Sequence, residues 1–268
     1  MHAGRRRGPM VEDPCKVFRE LGRTTWTALG TCHSNRIILG EDAITTLLLV
    51  NIATRLNGRV IYSDTRPFES SSGCDFELLI GAARSGWWRY AVQAKRVGIP
   101  NGRYASLNHK VGGSGKDQKD ILEAYAKGVR AKPLYALYNY LVPPPGLYDH
   151  LFGITIAPLS VVRRATSTRG GQCFNWIHRQ PGVHPWFCLV CPGCWPPAGK
   201  GPSERRGWEG IEAFHTKEVP RDIASWLQLG VVPHRSVEAD TPLSPGDCLR
   251  PKAVAIVDVG EVQASAKP

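Results

Sequence analysis

Apolar and polar positions alternate most clearly between residues 73 and 97. Short apolar runs on either side of the glycine-bounded turn Gly81 to Gly86 make the pattern of a β-hairpin. With the turn centred near Arg84, Asp75 lies opposite Gln93. Side chains alternate with period two, so Asp75, Glu77, Gln93 and Lys95 share one face. Phe76, Leu78, Ile80, Val92 and Ala94 take the other, apolar face. A slip of one residue would undo both groupings.

The rest of the pattern is organised around this hairpin. Ile44, Leu47, Leu48, Ile52 and Leu56 recur at helical spacing, which predicts a helix from Glu41 to Leu56 closed by Asn57-Gly58. Glu41 sits in its first turn, at the edge of the buried face, where an acid also complements the helix dipole. Val60-Ile61-Tyr62 reads as a short strand. Ile121, Leu122, Tyr125 and Val129 mark a second helix over Asp117 to Arg130, with Gln118 at the N-terminal end of its stripe. The unbroken apolar and aromatic run from Leu134 to Leu141 reads as a strand covered on both faces, and Pro143-Pro144-Pro145-Gly146 ends it.

Residues 15–145 therefore form an α/β core in the order helix, strand, strand, strand, helix, strand. Residues 1–14 read as a disordered basic tail, 146–262 as a C-terminal extension and 263–268 as a second tail. Val17 to Ile38 is only weakly patterned. Within the extension, an apolar run lies between Leu151 and Ala165, a helix is expected over Asp222 to Leu229, and Val254 to Val257 is a candidate late strand.

Charge narrows the partners. The chain carries 34 Lys and Arg against 23 Asp and Glu, a net charge of +11 that suits a polyanion. No apolar run approaches the roughly 20 residues of a membrane span. Arg5-Arg6-Arg7 leads into a polar stretch and not the apolar core of a signal peptide, so the expected location is cytoplasmic. In that reducing setting the 8 cysteines are expected as free thiols or metal ligands. Cys188, Cys191 and Cys194 have metal-ligand spacing, with Cys173, His178 and His184 upstream. The same stretch also reads as an apolar strand with buried thiols, and that reading is preferred because no second Cys-x-x-Cys pair is present. Gly115-Lys116 lacks the upstream glycine and the following hydroxyl residue of a phosphate loop.

Two carboxylates and a lysine on one sheet face are costly without a partner or a metal. Carboxylate oxygens suit a hard divalent ion, and a lysine beside such an ion can position a water for attack on phosphorus. The plainer alternative is a solvated face with a Glu-Lys cross-strand pair.

Glu41 on a first helix, Gly73-Cys74-Asp75 at the start of one strand and Gln93-Ala94-Lys95-Arg96 on the next resemble the PD-(D/E)xK restriction-endonuclease-like superfamily. The glutamine in place of the usual acid is similar to the branch typified by Mrr-like nucleases. The resemblance covers residues 41–141. It implies a restriction-endonuclease-like core with a mixed central sheet flanked by helices. It also implies a magnesium- or manganese-dependent DNA endonuclease, acting on double-stranded DNA and serving defence against foreign DNA, with a homodimer as one oligomeric option. Asp75, Gln93, Glu41 and Glu77 would be the metal shell, Lys95 the catalytic cation and Gln118 an accessory residue. Arg96, Lys110 and Lys116 would meet the DNA. An inactive nucleic-acid-binding module of the same fold and a zinc-binding interaction protein are the alternatives.

Overall fold

A computed structural model describes residues 12–56, 59–62, 72–82, 86–99, 101–111, 115–142, 152–191, 215–219 and 253–259. Strands β1 (Arg59–Tyr62), β2 (Phe76–Ala82), β3 (Gly86–Arg96), β4 (Lys132–Tyr138), β5 (Ile154–Pro158), β6 (His184–Pro185), β7 (His215–Thr216) and β8 (Ala253–Asp258) form one mixed sheet. Its order is β1-β8-β2-β3-β4-β5-β6, with β7 pairing β3 off this path. Helices α1 (Pro14–Ser34), α2 (Glu41–Arg55), α3 (Gln118–Gly128), α4 (Leu159–Ser167) and the single turn α5 (Phe174–Ile177) pack against it.

The hairpin takes the register expected from its turn. β2 and β3 run antiparallel with Phe76 opposite Val92 and Gly81 opposite Trp87. β4 runs parallel to β3, so Gln93 pairs with Tyr135 and Lys95 with Leu137. Phe76, Leu78, Ile80, Val92 and Ala94 lie in the core shared with α1 and α2. Ala91, Tyr135 and Leu137, on the other face, pack with residues of α3, α4 and α5. Helices on both sides let the central strands bury both faces.

The weakly patterned stretch is a 21-residue helix, α1. Its buried positions are Val17, Phe18, Leu21, Gly22, Thr25, Trp26, Leu29 and Gly30, a regular helical stripe. Three of those eight are glycine or threonine, which hides the stripe from a count of large apolar residues. The small residues serve close packing. A Cβ on Gly30 would come within 2.6 Å of the Tyr140 ring, and one on Gly153 within 1.9 Å of the Gly22 carbonyl oxygen. Asp13 caps the helix by accepting from the Cys15 and Lys16 amides at 3.2 Å each, and Pro14 opens it. Glu12 and Asp13, expected within the N-terminal tail, are instead tied into the fold, the Glu12 carboxylate accepting from Arg55 at 2.8 and 2.6 Å.

The segment 146–262 is not an appendage, because it supplies β5, β6, β7 and β8 to the same sheet. β8, the anticipated late strand, sits between β1 and β2, antiparallel to one and parallel to the other. In α2, Ile44, Leu48 and Ile52 are buried as expected, but Leu49 is buried and Leu47 is 57% exposed. Asn57-Gly58 and the expected helix at 222–229 lie outside the described residues.

The stretch around Cys188 is a 3₁₀ turn, Trp186–Leu189, and not a strand. It is fastened to α1: the Trp186 and Phe18 rings stack at 4.2 Å and the Trp186 indole donates to the Phe18 carbonyl at 2.7 Å. Cys191 forms a disulfide with Cys15, which corrects the expectation of free thiols there. Cys32, Cys74, Cys173 and Cys188 are thiols. A link across 176 positions restricts the unfolded chain strongly. Reduction, or Cys191→Ser, is expected to lower unfolding free energy by about 2–4 kcal/mol. Thermal melts with and without reductant check this, and superimposable melts would contradict it.

A buried polar chain closes the far side. Tyr104 donates to the Asn139 side chain, and Asn139 donates to the Phe152 carbonyl at 2.6 Å and to Thr155 at 3.1 Å. The Thr155 hydroxyl lies 2.8 Å from His178 Nε2, and His178 Nδ1 lies 2.9 Å from the Phe174 carbonyl oxygen. A carbonyl only accepts, so Nδ1 carries the proton and Nε2 accepts from Thr155. Burial lowers the imidazole from its ordinary 6.5 to about 4, against a smaller upward pull from the Phe174 carbonyl. The unfolded chain thus takes up this proton first as pH falls. The stabilisation is complete above about pH 6.5 and is lost as pH drops towards about 4. Urea titrations from pH 7 to pH 4 are expected to show a loss about 3 kcal/mol larger in the wild type than in His178→Gln.

Candidate active site

Asp75 immediately precedes β2, and its amide donates to the Val92 carbonyl at 2.9 Å, so the pairing continues past the strand's end. That register brings the side chain to Gln93. Asp75 Oδ2 accepts from Gln93 Nε2 at 2.5 Å and from the Ala94 amide at 2.6 Å. Gln93 Nε2 also donates to the Ala94 carbonyl at 3.2 Å. Both partners of that nitrogen are acceptors, so the amide cannot be turned round. Gln93 Oε1 is thereby left buried without a hydrogen-bond partner.

Lys95, two residues along β3, projects from the same face and is 5% exposed. Glu41 reaches it from the first turn of α2: Oε2 lies 3.9 Å from Lys95 Nζ. Glu41 Oε1 accepts from the Arg96 amide at 2.7 Å and from Ser106 Oγ at 3.5 Å. The acid therefore holds both the lysine and the backbone of the strand that carries it. Its side chain is 32% exposed, so this end of the group opens to solvent.

α3 closes the other side. Gly73 has φ +60, and a Cβ there would fall 2.8 Å from the Gln118 carbonyl oxygen and 2.9 Å from the Leu122 amide. Only glycine allows the first turn of α3 to come down onto the chain just before Asp75. Gln118 is 3% exposed, and its Oε1 is a second buried atom without a partner. The Tyr135 hydroxyl is a third. Burial, then the nearby Asp75 charge, pushes the Tyr135 phenol upward, so it keeps its proton and remains a donor. Tyr135 pairs with Gln93 across β3 and β4 and carried no signal in the sequence beyond its place in an apolar run.

Glu77, expected as a metal ligand, is held elsewhere. It is fully buried and forms two bonds with the Arg89 guanidinium, at 2.8 and 3.1 Å. Tyr125 donates to it at 2.7 Å, and Arg89 also donates to the Val129 carbonyl at 3.1 Å. Burial, then the Glu77 charge, raises the Tyr125 phenol far above its usual value. Strand alternation permits Arg89 as the partner: with Glu77 opposite Ala91, it stands on the same face two positions away. Arg89→Ala would leave a buried carboxylate without its cation. A loss of about 3–5 kcal/mol is expected by denaturant titration. A midpoint equal to wild type would show that the pair contributes nothing.

Lys110 and Lys116 are exposed just before α3, where the Val111 amide donates to the Lys116 carbonyl at 3.0 Å and Lys110 bridges Asp117. Arg96 is half-buried at the end of β3. Thus Asp75, Gln93, Lys95 and Glu41 form one group, Tyr135 stands beside Gln93 on the next strand, Gln118 is buried at the start of α3, and the two lysines lie at the entry to α3.

Among the described residues, no three His, Cys, Asp or Glu side chains gather closely enough to hold a metal. A zinc site at the cysteines finds no support there, since Cys191 is in the disulfide; Cys194 lies outside the described residues. The Asp75 group does fit a hard divalent ion of another kind. Magnesium is commonly bound through one or two carboxylates while it keeps several waters. Asp75 with the unpartnered oxygen of Gln93 matches that limited donor set.

The fold and site define an α/β protein with a mixed open sheet and a buried acid, amide and lysine at the ends of β2 and β3. Residues 14–253 match a family of unknown function, DUF6615, and the chain belongs to that family. No curated protein and no solved structure matches it. Among the described residues no helix is long and apolar enough to cross a membrane.

Proposed function

We propose that the chain is a divalent-metal-dependent endonuclease of the restriction-endonuclease-like class, acting on double-stranded DNA. One observation carries the reading: Asp75, Gln93 and Lys95 converge from two paired strands, and Glu41 meets Lys95 from α2. A hairpin face used only for solvation would not bury Asp75, Gln93 and Lys95 to 6, 1 and 5% exposure.

Asp75 and the Gln93 amide oxygen are the groups that would hold magnesium or manganese. When bound, such an ion neutralises phosphate charge and makes a water more acidic. Lys95 orients the attacking water by donating to it and offsets the charge that builds on the phosphate oxygens. Glu41 keeps the lysine aimed and fixes the β3 backbone through the Arg96 amide. Gln118 and Tyr135 offer an acceptor and a donor on the α3 side, suited to ordering water next to Gln93. Lys110, Lys116 and Arg96 supply positive charge for the backbone of a duplex, whose binding is dominated by phosphate contacts. Defence against foreign DNA is the role this chemistry would serve.

Supercoiled plasmid is the test substrate. Wild type should nick or linearise it with magnesium or manganese and not with chelator. Lys95→Ala should cut the rate about 100-fold or more and leave DNA affinity nearly unchanged. Asp75→Ala should abolish metal dependence and rate together. Equal cleavage by all three proteins would refute the assignment. No cleavage by wild type, with tight DNA binding, would move the chain to the inactive binding module.

A further inference from the structure

The linker between α1 and α2 carries features that the site does not use. α1 ends with the Ile37 amide donating to the Cys32 carbonyl at 2.8 Å and the Arg36 amide to the His33 carbonyl at 3.1 Å. This pairing places the residue after the cap in the left-handed region, where glycine is usual. Here it is Arg36, with φ +58. The apolar residue that follows such a turn commonly packs back on its helix. Ile37 is instead 60% exposed and Ile38 84% exposed. An open cavity of about 270 Å³ lies beside them. Leu29, Leu39 and Ile99 give it apolar lining, and His33, Arg36 and Arg96 give it polar and cationic groups. It adjoins the Asp75–Lys95 site through Arg96, whose amide Glu41 binds, and through the linker itself, which runs on into Glu41.

We propose that this cavity receives one nucleobase, turned out of the duplex, of the strand whose phosphate lies at Lys95, with Ile37 and Ile38 against the base and Arg36 and Arg96 on the adjoining phosphates. The inference rests on the nucleic-acid part of the function proposed above. Charge and apolarity together select the occupant. A recess of mixed apolar and cationic lining, in a chain of net charge +11, matches a ligand that is polyanionic along its backbone and flat and apolar on its bases. Single strands are held by a cationic track together with side chains that cover the faces of the bases, and here isoleucine and leucine would supply that cover. The volume is below the 300–1,000 Å³ typical of pockets for drug-sized ligands, in keeping with a single base. The left-handed Arg36 turns the chain so that a cation and two isoleucines face the same opening, at a backbone cost that glycine would not incur.

The test is fluorescence anisotropy in chelator, which prevents cleavage. Full-length protein is titrated with a short oligothymidylate and with an abasic deoxyribose-phosphate strand of equal length and charge. Wild type should prefer the base-bearing strand about tenfold, the scale of one stacked base. The double variant Ile37→Ser/Ile38→Ser should lose that preference and keep its binding to the abasic strand. Arg36→Gly should bind both strands more weakly and melt no lower than wild type, since glycine suits φ +58. Both isoleucines are exposed, so the serine variant should also melt like wild type. Equal affinity of wild type for the two strands, or an unchanged preference in the serine variant, overturns the proposal whatever the plasmid assay gives. An isoleucine-dependent base preference with no plasmid cleavage would reject the nuclease and leave the base site standing.

Discussion

A buried carboxylate must have its lone pairs satisfied, and the way Asp75 meets that demand governs this structure. Its Oδ2 takes bonds from the Gln93 amide and the Ala94 backbone, so the residue just before one strand is tied to the last third of the next. The tie holds only if β2 and β3 keep one register, because a slip would carry Gln93 to the opposite face. It also sets the amide of Gln93 so that its oxygen, and not its nitrogen, is left without a partner. Structure and proposed chemistry meet in that one arrangement: the bonds that secure the hairpin leave an acceptor beside an acid and a lysine.

The two faces of the sheet divide the work. The α1 and α2 side is a continuous apolar core, stapled by Cys15–Cys191 and by the stack of Phe18 on Trp186. The α3 side admits charge. Glu77 is neutralised by Arg89 and further bound by Tyr125, which makes it a structural ion pair under α3. Asp75 and Lys95 lie nearer the open end, where Glu41 comes over from α2 and remains partly exposed. The difference between the two carboxylates is position along the strand. Two residues separate a locked pair from a group beside a partly exposed acid.

Much of this was legible from period and punctuation. The turn bounded by Gly81 and Gly86 set the hairpin register, and with it the shared face of Asp75, Gln93 and Lys95. The stripes of α2 and α3 were visible because large apolar residues mark them. α1 was missed because Gly22, Thr25 and Gly30 occupy buried positions, and their value depends on Gly153 and Tyr140 arriving from elsewhere in the chain. The apolar run ending at Cys191 is too short for its sequence to distinguish a strand from the 3₁₀ turn it forms under α1.

The sequence by itself determined what depends on near neighbours: the hairpin and its faces, the helices with full apolar stripes, and the acid, amide and lysine that the pleat must place together. Tertiary structure decided what depends on distant partners. It chose Arg89 for Glu77, which a face count permits but only packing under α3 enforces. It inserted β8 between β1 and β2, so that residues far beyond the hairpin complete its sheet. It joined Cys15 to Cys191 and brought Glu41 to Lys95. Periodicity reports which way a side chain points along its own element. It carries no information about which element will stand opposite, and that choice belongs to the packing of the whole chain.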